Sequence, residues 1–159
     1  MNKNCALPLW VLAAASSCAP SYRVKLRASE ADYGLSSIAV DVLFVKQADK
    51  LQKHLAALAK ERKIHAFFSD GNELRKELVK EGMLRECDVT PGKGMPVELP
   101  ATVGDGTTIV VVANFSVDPD DRSSSYLPYA TKRIQDGLNA YEFRLRPGVI
   151  EFVPAGKRP

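Results

Sequence analysis

A mainly β, sandwich-type fold with a helical insertion is predicted by three observations on this 159-residue chain. Short runs rich in Val, Ile, Phe and Tyr recur between turn-forming residues. Two of these runs alternate apolar and polar residues with a period of two, as half-buried strands do. Helical periodicity is confined to one block, about residues 48–82, placed after the second strand. The expected class is therefore α+β with strands dominant, a β-sandwich carrying two helices in one insertion.

Residues 1–17 read as a bacterial secretion signal. Lys3 is basic, Ala6 to Ala15 is apolar, and Ala15-Ser16-Ser17 leads into Cys18. The apolar run is shorter than the roughly 20 residues that a membrane-spanning helix needs. It fits a signal core of about 7–15 residues. Small residues followed by cysteine form the pattern that bacterial lipoprotein processing cuts, so Cys18 is the expected lipidation site and residues 18–21 a leash. A Leu is usual where Ala15 stands, and Ala15 with Ser17 also suits ordinary signal peptidase. An Asp often follows the cysteine of inner-membrane lipoproteins; Ala19 favours the outer membrane.

Removing residues 1–17 leaves 142 residues, one domain with enough chain to bury a core. The signal takes one Lys and no acid, so the mature chain carries 21 basic and 19 acidic residues, net +2. That balance argues against nucleic-acid binding, which calls for a clustered basic surface. Cys5 leaves with the signal and Cys18 is lipidated, so Cys87 remains as the one thiol and no internal disulfide can form. A lone cysteine of this kind reads as a small apolar residue.

Within the domain, 22–153, each element has its own signal. Tyr22, Val24, Leu26 and Ala28 alternate with Arg23, Lys25 and Arg27, giving a first strand with one wet face. The segment 29–37 holds Gly34, Asp32 and serines and reads as a loop. Ile38 to Val45 is a denser apolar strand. Ala48, Leu51, Leu55, Leu58 and Ala59 share a helical face, in a helix expected to run from Ala48 to about Lys63. A second helix is expected to be capped by Ser69 or Asp70, with Glu73 three residues on, to carry Leu74 and Leu78 inward, and to stop at Gly82. Short strands follow at Leu84 to Val89 and Val97 to Leu99, around the turn Pro91-Gly92-Lys93-Gly94. Thr107 to Phe115 is the strongest β signal and the expected core strand. Asp118 to Pro128 reads as a polar loop. Tyr141, Phe143 and Leu145 alternate with charges before Pro147-Gly148 turns the chain into Val149 to Val153, a terminal hairpin. Residues 154–159 form a tail.

Chemistry is sparse. His54 and His65 lie eleven residues apart, with no further ligand at zinc spacing. Asp118-Pro119-Asp120-Asp121 begins like a calcium loop, but Arg122 and Ser123 stand where the pattern needs a ligand and a glycine. No hydrolase elbow and no phosphate-binding glycine pattern occurs. The block from Lys46 to Glu81 holds nine basic and six acidic residues, which suits a solvated helical face and, less readily, a docking face. No catalytic residue, metal or cofactor is expected, and a binding or assembly module is a better reading than an enzyme.

The order of features resembles the TssJ family, the outer-membrane lipoproteins of the bacterial type VI secretion system. The resemblance rests on Cys18 followed by the strand Arg23-Val24-Lys25-Leu26-Arg27-Ala28-Ser29. It continues through Val40-Asp41-Val42-Leu43-Phe44-Val45, then Ala66-Phe67-Phe68-Ser69-Asp70 before a helix with Leu74 and Leu78. Cys87-Asp88-Val89-Thr90-Pro91-Gly92, Met95-Pro96-Val97-Glu98-Leu99-Pro100 and Ile109 to Ser116 complete it. The helix from Ala48 to Lys63 is longer than the family's usual connection, and the match stops near Val117. The resemblance implies a transthyretin-like β-sandwich with a helical insertion. It also implies a periplasmic lipoprotein that tethers the periplasmic domain of a TssM-like inner-membrane partner to the outer membrane. The partner would be met by the loop between the first two strands, here Glu30, Ala31, Asp32, Tyr33, Gly34, Leu35 and Ser36. Tyr33 and Leu35 are its apolar anchors, or else cover the open end of the sandwich. The alternative is a periplasmic lipoprotein module that binds a small ligand or cell-wall glycan.

Overall fold

A computed structural model describes residues 22–29, 36–92, 95–98, 103, 106–116, 125–135, 138 and 140–154. The signal 1–17, the leash 18–21 with Cys18, loop residues 30–35, Asp118 to Asp121 and the tail from 155 lie outside the described residues. The strands are β1 (Arg23–Ala28), β2 (Ile38–Val45), β3 (Leu84–Val89), β4 (Met95–Glu98), β5 (Thr108–Ala113), β6 (Tyr129–Arg133), β7 (Ala140–Arg146) and β8 (Val149–Val153). Helices α1 (Asp49–Lys60) and α2 (Glu73–Lys80) sit between β2 and β3, separated by a single 3-10 turn at Ile64–Ala66. One sheet has the order β4-β1-β7-β8 and the other β3-β2-β5-β6. All pairs are antiparallel except β1 with β7. The β-sandwich with one helical insertion is as expected.

The central strands of the second sheet, β5 and most of β2, are buried on both faces, which explains their composition. Val40, Val42 and Phe44 of β2 and Ile109, Val111 and Ala113 of β5 meet Val24, Leu26, Tyr141, Phe143 and Leu145 of the first sheet. Leu43 and Val45, with Val110 and Val112, point the other way, onto Leu51, Leu55, Phe67 and Leu78 of the insertion. A strand covered on both sides has no wet face to alternate with, so β5 reads as an unbroken Thr-Ile-Val-Val-Val-Ala run. The first sheet has one covered face, and β1 alternates accordingly.

Both helices end in the same hydrogen-bond pattern. Lys63 N bonds to Leu58 O at 2.8 Å and Arg62 N to Ala59 O at 3.0 Å; Met83 N bonds to Leu78 O and Gly82 N to Val79 O, both at 3.0 Å. The pattern requires a left-handed residue. Gly82 supplies it at φ 69°, and Arg62 supplies it at φ 56°. Arg62 therefore stops α1 at Lys60, three residues before the expected end at Lys63.

Two further expectations are corrected. The cap of α2 is Asn72, whose side-chain oxygen accepts from Arg75 N at 2.9 Å. Neither Ser69 nor Asp70 caps it: Ser69 Oγ instead donates to Ala66 O at 2.8 Å, closing the preceding 3-10 turn, and Glu73 pairs with Lys76 at 2.9 Å. The second correction is β6, a strand the sequence reading lacks. Its Tyr-Ala-Thr-Lys is half-buried and its Arg133 exposed, with no alternation to betray it.

Candidate functional site

Pairing register sorts the ends of the strands into two poles. At one, Ala28 is opposite Leu145, Ile38 opposite Val89 and Val40 opposite Ala113. Two links hold the sheets together there: Gly92 N donates to Ala28 O at 2.8 Å, and Leu127 joins β8 while Pro128 O accepts from Ala113 N at 2.9 Å. The turn Pro147-Gly148 and exposed Ser36 lie at this pole. At the other pole Arg23 is opposite Ala140 and Glu98, Val45 opposite Thr108, and Leu43 opposite Leu84. The chain upstream of Tyr22, toward Cys18, enters there. The two ends of β1 are five residue steps apart, about 17 Å along an extended strand.

The insertion is pinned at mid-sheet by charge. Asp41 lies on the helix-facing side of β2, and its side chain is 2% exposed. Arg75 of α2 reaches it with two bonds, Nε to Oδ2 at 2.7 Å and Nη2 to Oδ1 at 3.2 Å. Asn72 starts α2 at the position that aims Arg75 inward, and the Arg75 guanidinium also lies over the Phe68 ring, 5.7 Å from its centroid. The same Nη2 donates to Glu86, which stands opposite Asp41 on β3 and is 65% exposed. Burial holds the Asp41 carboxyl above its ordinary range, opposed by the bonds from Arg75. The Arg75 guanidinium is held firmly protonated by Asp41.

Beside this pair is an open groove of about 290 Å³, floored by Ala39, Val40, Asp41 and Cys87 and edged by Phe68, Arg75, Glu86 and Asp88. The helices cover the half of the sheet toward the other pole, so exposed Ala39 and Asp88 are left open. Cys87 faces the sandwich core, donates from Sγ to Val40 O at 3.5 Å, and has its thiol pushed up to about 11, chiefly by burial and then by Asp41 and Asp88. Such a thiol is not a nucleophile at neutral pH.

Ser36, exposed just before β2, is the described member of the expected partner loop; Glu30 to Leu35 and the lipidation candidate Cys18 are not described. His54 is half-buried on α1 with its Nε2 3.3 Å from Asn72 Nδ2, and His65 is exposed, so the two do not converge. Among the described residues no three His, Cys, Asp or Glu side chains gather as metal ligands, and no helix is long and apolar enough to cross a membrane. Sequence reading missed the Asp41–Arg75 pair. The available signal was one acid inside an otherwise apolar strand, since an unpaired carboxylate cannot be buried at that position.

No family model matches the chain, and no curated protein matches it by sequence. Solved structures do match. The type VI secretion lipoprotein TssJ1 of Pseudomonas aeruginosa superposes with a TM-score of 0.53 at 13% identity, over 88% of this chain and 97% of that one. A chain of a type VI membrane complex gives 0.55 at 18% identity, over 85% and 98%. Lip of Serratia marcescens, a membrane-bound component of the type VI secretion system, gives 0.53 at 10% identity, over 86% and 98%. At these identities the likeness is one of architecture: this chain has the β-sandwich fold of the type VI secretion lipoproteins, over nearly the whole length of each.

Proposed function

We propose that this protein is a divergent TssJ-family lipoprotein, a structural component of a type VI secretion envelope complex. Cys18 carries the lipid at the periplasmic face of the outer membrane, and the domain holds the periplasmic part of a TssM-like inner-membrane protein. The observation that carries this reading is the two-pole arrangement. The end of β1 nearest Cys18 and the end nearest the 30–36 loop are opposite ends of the sandwich. Four residue steps lead from Cys18 to Tyr22, at most about 14 Å of extended chain. One pole is thereby kept at the membrane, and Glu30, Ala31, Asp32, Tyr33, Gly34, Leu35 and Ser36 are presented away from it. Expression of the full chain and of Cys18→Ser in a Gram-negative host, followed by membrane fractionation, tests the anchor. The wild type is expected with outer membranes and the variant in the soluble periplasm; membrane retention of Cys18→Ser would refute it.

The alternative, a module for a small ligand or glycan, draws on the open groove. The guanidinium there is already engaged by Asp41 and Glu86, which leaves it poorly placed to recruit a further anion.

A further inference from the structure

We infer that the outer edge of β3 is a second docking site, which receives an extended basic segment of the protein partner as an added strand. The inference rests on the reading above that a protein partner exists, and adds where and by what chemistry it is held.

The edge is read from the ladder. Phe44 N donates to Met83 O at 2.8 Å, and bonded pairs alternate along an antiparallel ladder. Val42 with Arg85, Val40 with Cys87 and Ile38 with Val89 are therefore the bonded pairs. Asn114 N donates to Ala39 O, so the odd residues of β2 bond toward β5 instead, which agrees with this phase. The backbone groups of Leu84, Glu86 and Asp88 consequently point away from β2. β3 ends the strand order of its sheet, and no described strand pairs with this side. The ladder runs through six consecutive positions, from Ile38 opposite Val89 to Leu43 opposite Leu84. Leu84 O accepts from Arg85 Nη1 at 3.3 Å, so the open stretch is that of Glu86 and Asp88; an edge of this kind is a template for another chain.

The groove gives the sign of the incoming charge. Asp41, Glu86 and Asp88 against Arg75 make three carboxylates to one guanidinium, a net of −2. Asp41 is consumed by Arg75, and Glu86 accepts from the same guanidinium while staying 65% exposed; Asp88 is exposed. Both project on the groove side of the very residues whose backbone is open. A strand laid beside β3 would set alternate side chains directly against them, where opposite charges attract and like charges repel. Charged side chains also guard an edge strand against aggregation, and Glu86 and Asp88 serve that role in the absence of a partner. Here the exposed acids adjoin an uncovered floor at Ala39, with room for a long side chain to lie along Phe68.

The test is hydrogen exchange and binding with the processed full chain, using as probe the periplasmic domain of the TssM-like protein from the same bacterium. Two variants accompany the wild type. Asp88→Lys reverses a carboxylate that no hydrogen bond or ion pair among the described residues engages, and Asp88→Pro removes an outward N–H without touching a bond to β2. The expected result is that amides of Glu86 and Asp88 exchange fast alone and become protected in the complex. Each variant should keep the wild-type melting temperature and bind about tenfold more weakly, the loss in Asp88→Lys shrinking at high salt. A complex that forms with these amides unprotected, and equally well with both variants, would overturn the inference and leave the partner reading standing. A well-folded wild type that binds no such domain would overturn both.

Discussion

Arg75 on α2 grips Asp41 on β2 through two hydrogen bonds, 2.7 and 3.2 Å long, across 34 residues of sequence. The rest of that interface is apolar: Leu43, Leu78, Leu84 and their neighbours. Apolar contacts reward burial but tolerate sliding, whereas a forked guanidinium–carboxylate pair has a narrow geometry. The pair thus sets the register of the insertion on the sheet.

Removing Arg75 leaves the Asp41 charge buried and uncompensated, and removing Asp41 leaves Arg75 with Glu86 alone. Asp41→Ala is expected to lose about 2–4 kcal/mol, somewhat less than a fully buried pair because Arg75 keeps Glu86. Replacing both, as Asp41→Leu with Arg75→Leu, should recover most of that loss. Urea denaturation of the single and double variants measures this. A double variant no more stable than Asp41→Ala would show that the pair contributes net stability rather than register.

The cap assignment separates two nearby residues. Asn72→Ala should cost about 1 kcal/mol, because it orphans the Arg75 amide. Asp70→Ala should stay within about 0.5 kcal/mol, as an exposed residue outside the helix. At the other end of α2, Gly82→Ala meets no atom within 4 Å but must hold φ near 69°, so its cost of about 1 kcal/mol would be backbone strain alone. Thermal unfolding of the three variants gives the order; equal losses at positions 70 and 72 would contradict the cap.

Cys87 should be slow to alkylate. With the thiol pushed up to about 11 from an ordinary 9.0, its thiolate fraction at pH 8 is about 100-fold below that of a free thiol. The unfolded thiol ionises first, so the folded state holds the extra proton between the two values. The associated stability is complete below pH 9 and is lost as pH rises toward 11. Iodoacetamide labelling followed by mass spectrometry, with and without urea, checks it. Labelling in the native state at the free-thiol rate would contradict the burial.

Much of this fold was legible because burial writes directly into composition. The one-sided sheet shows alternation at Tyr22 to Ala28, and the doubly covered strand shows a continuous apolar run at Ile109 to Ala113. What stayed hidden depends on partners distant in sequence. Asp41 is unremarkable until Arg75 folds over it, and β6 is held at an edge by β5 rather than by its own propensity. The cap was misread because Ser69, Asp70 and Asn72 are all competent, and only the path of the 3-10 turn at Ile64–Ala66 selects Asn72. The groove beside Asp41 is legible only in three dimensions, since its lining comes from β2, β3, Phe68 and α2.

The most direct test of the tether is binding of the processed chain to the periplasmic domain of the TssM-like protein, beside a version with Glu30 to Ser36 replaced by a Gly-Ser linker. The account predicts binding by the wild type and its loss in the linker variant, with unfolding transitions that coincide. Undiminished binding by the linker variant would contradict the assignment of the partner loop, and absence of binding by a well-folded wild type would contradict the tether itself.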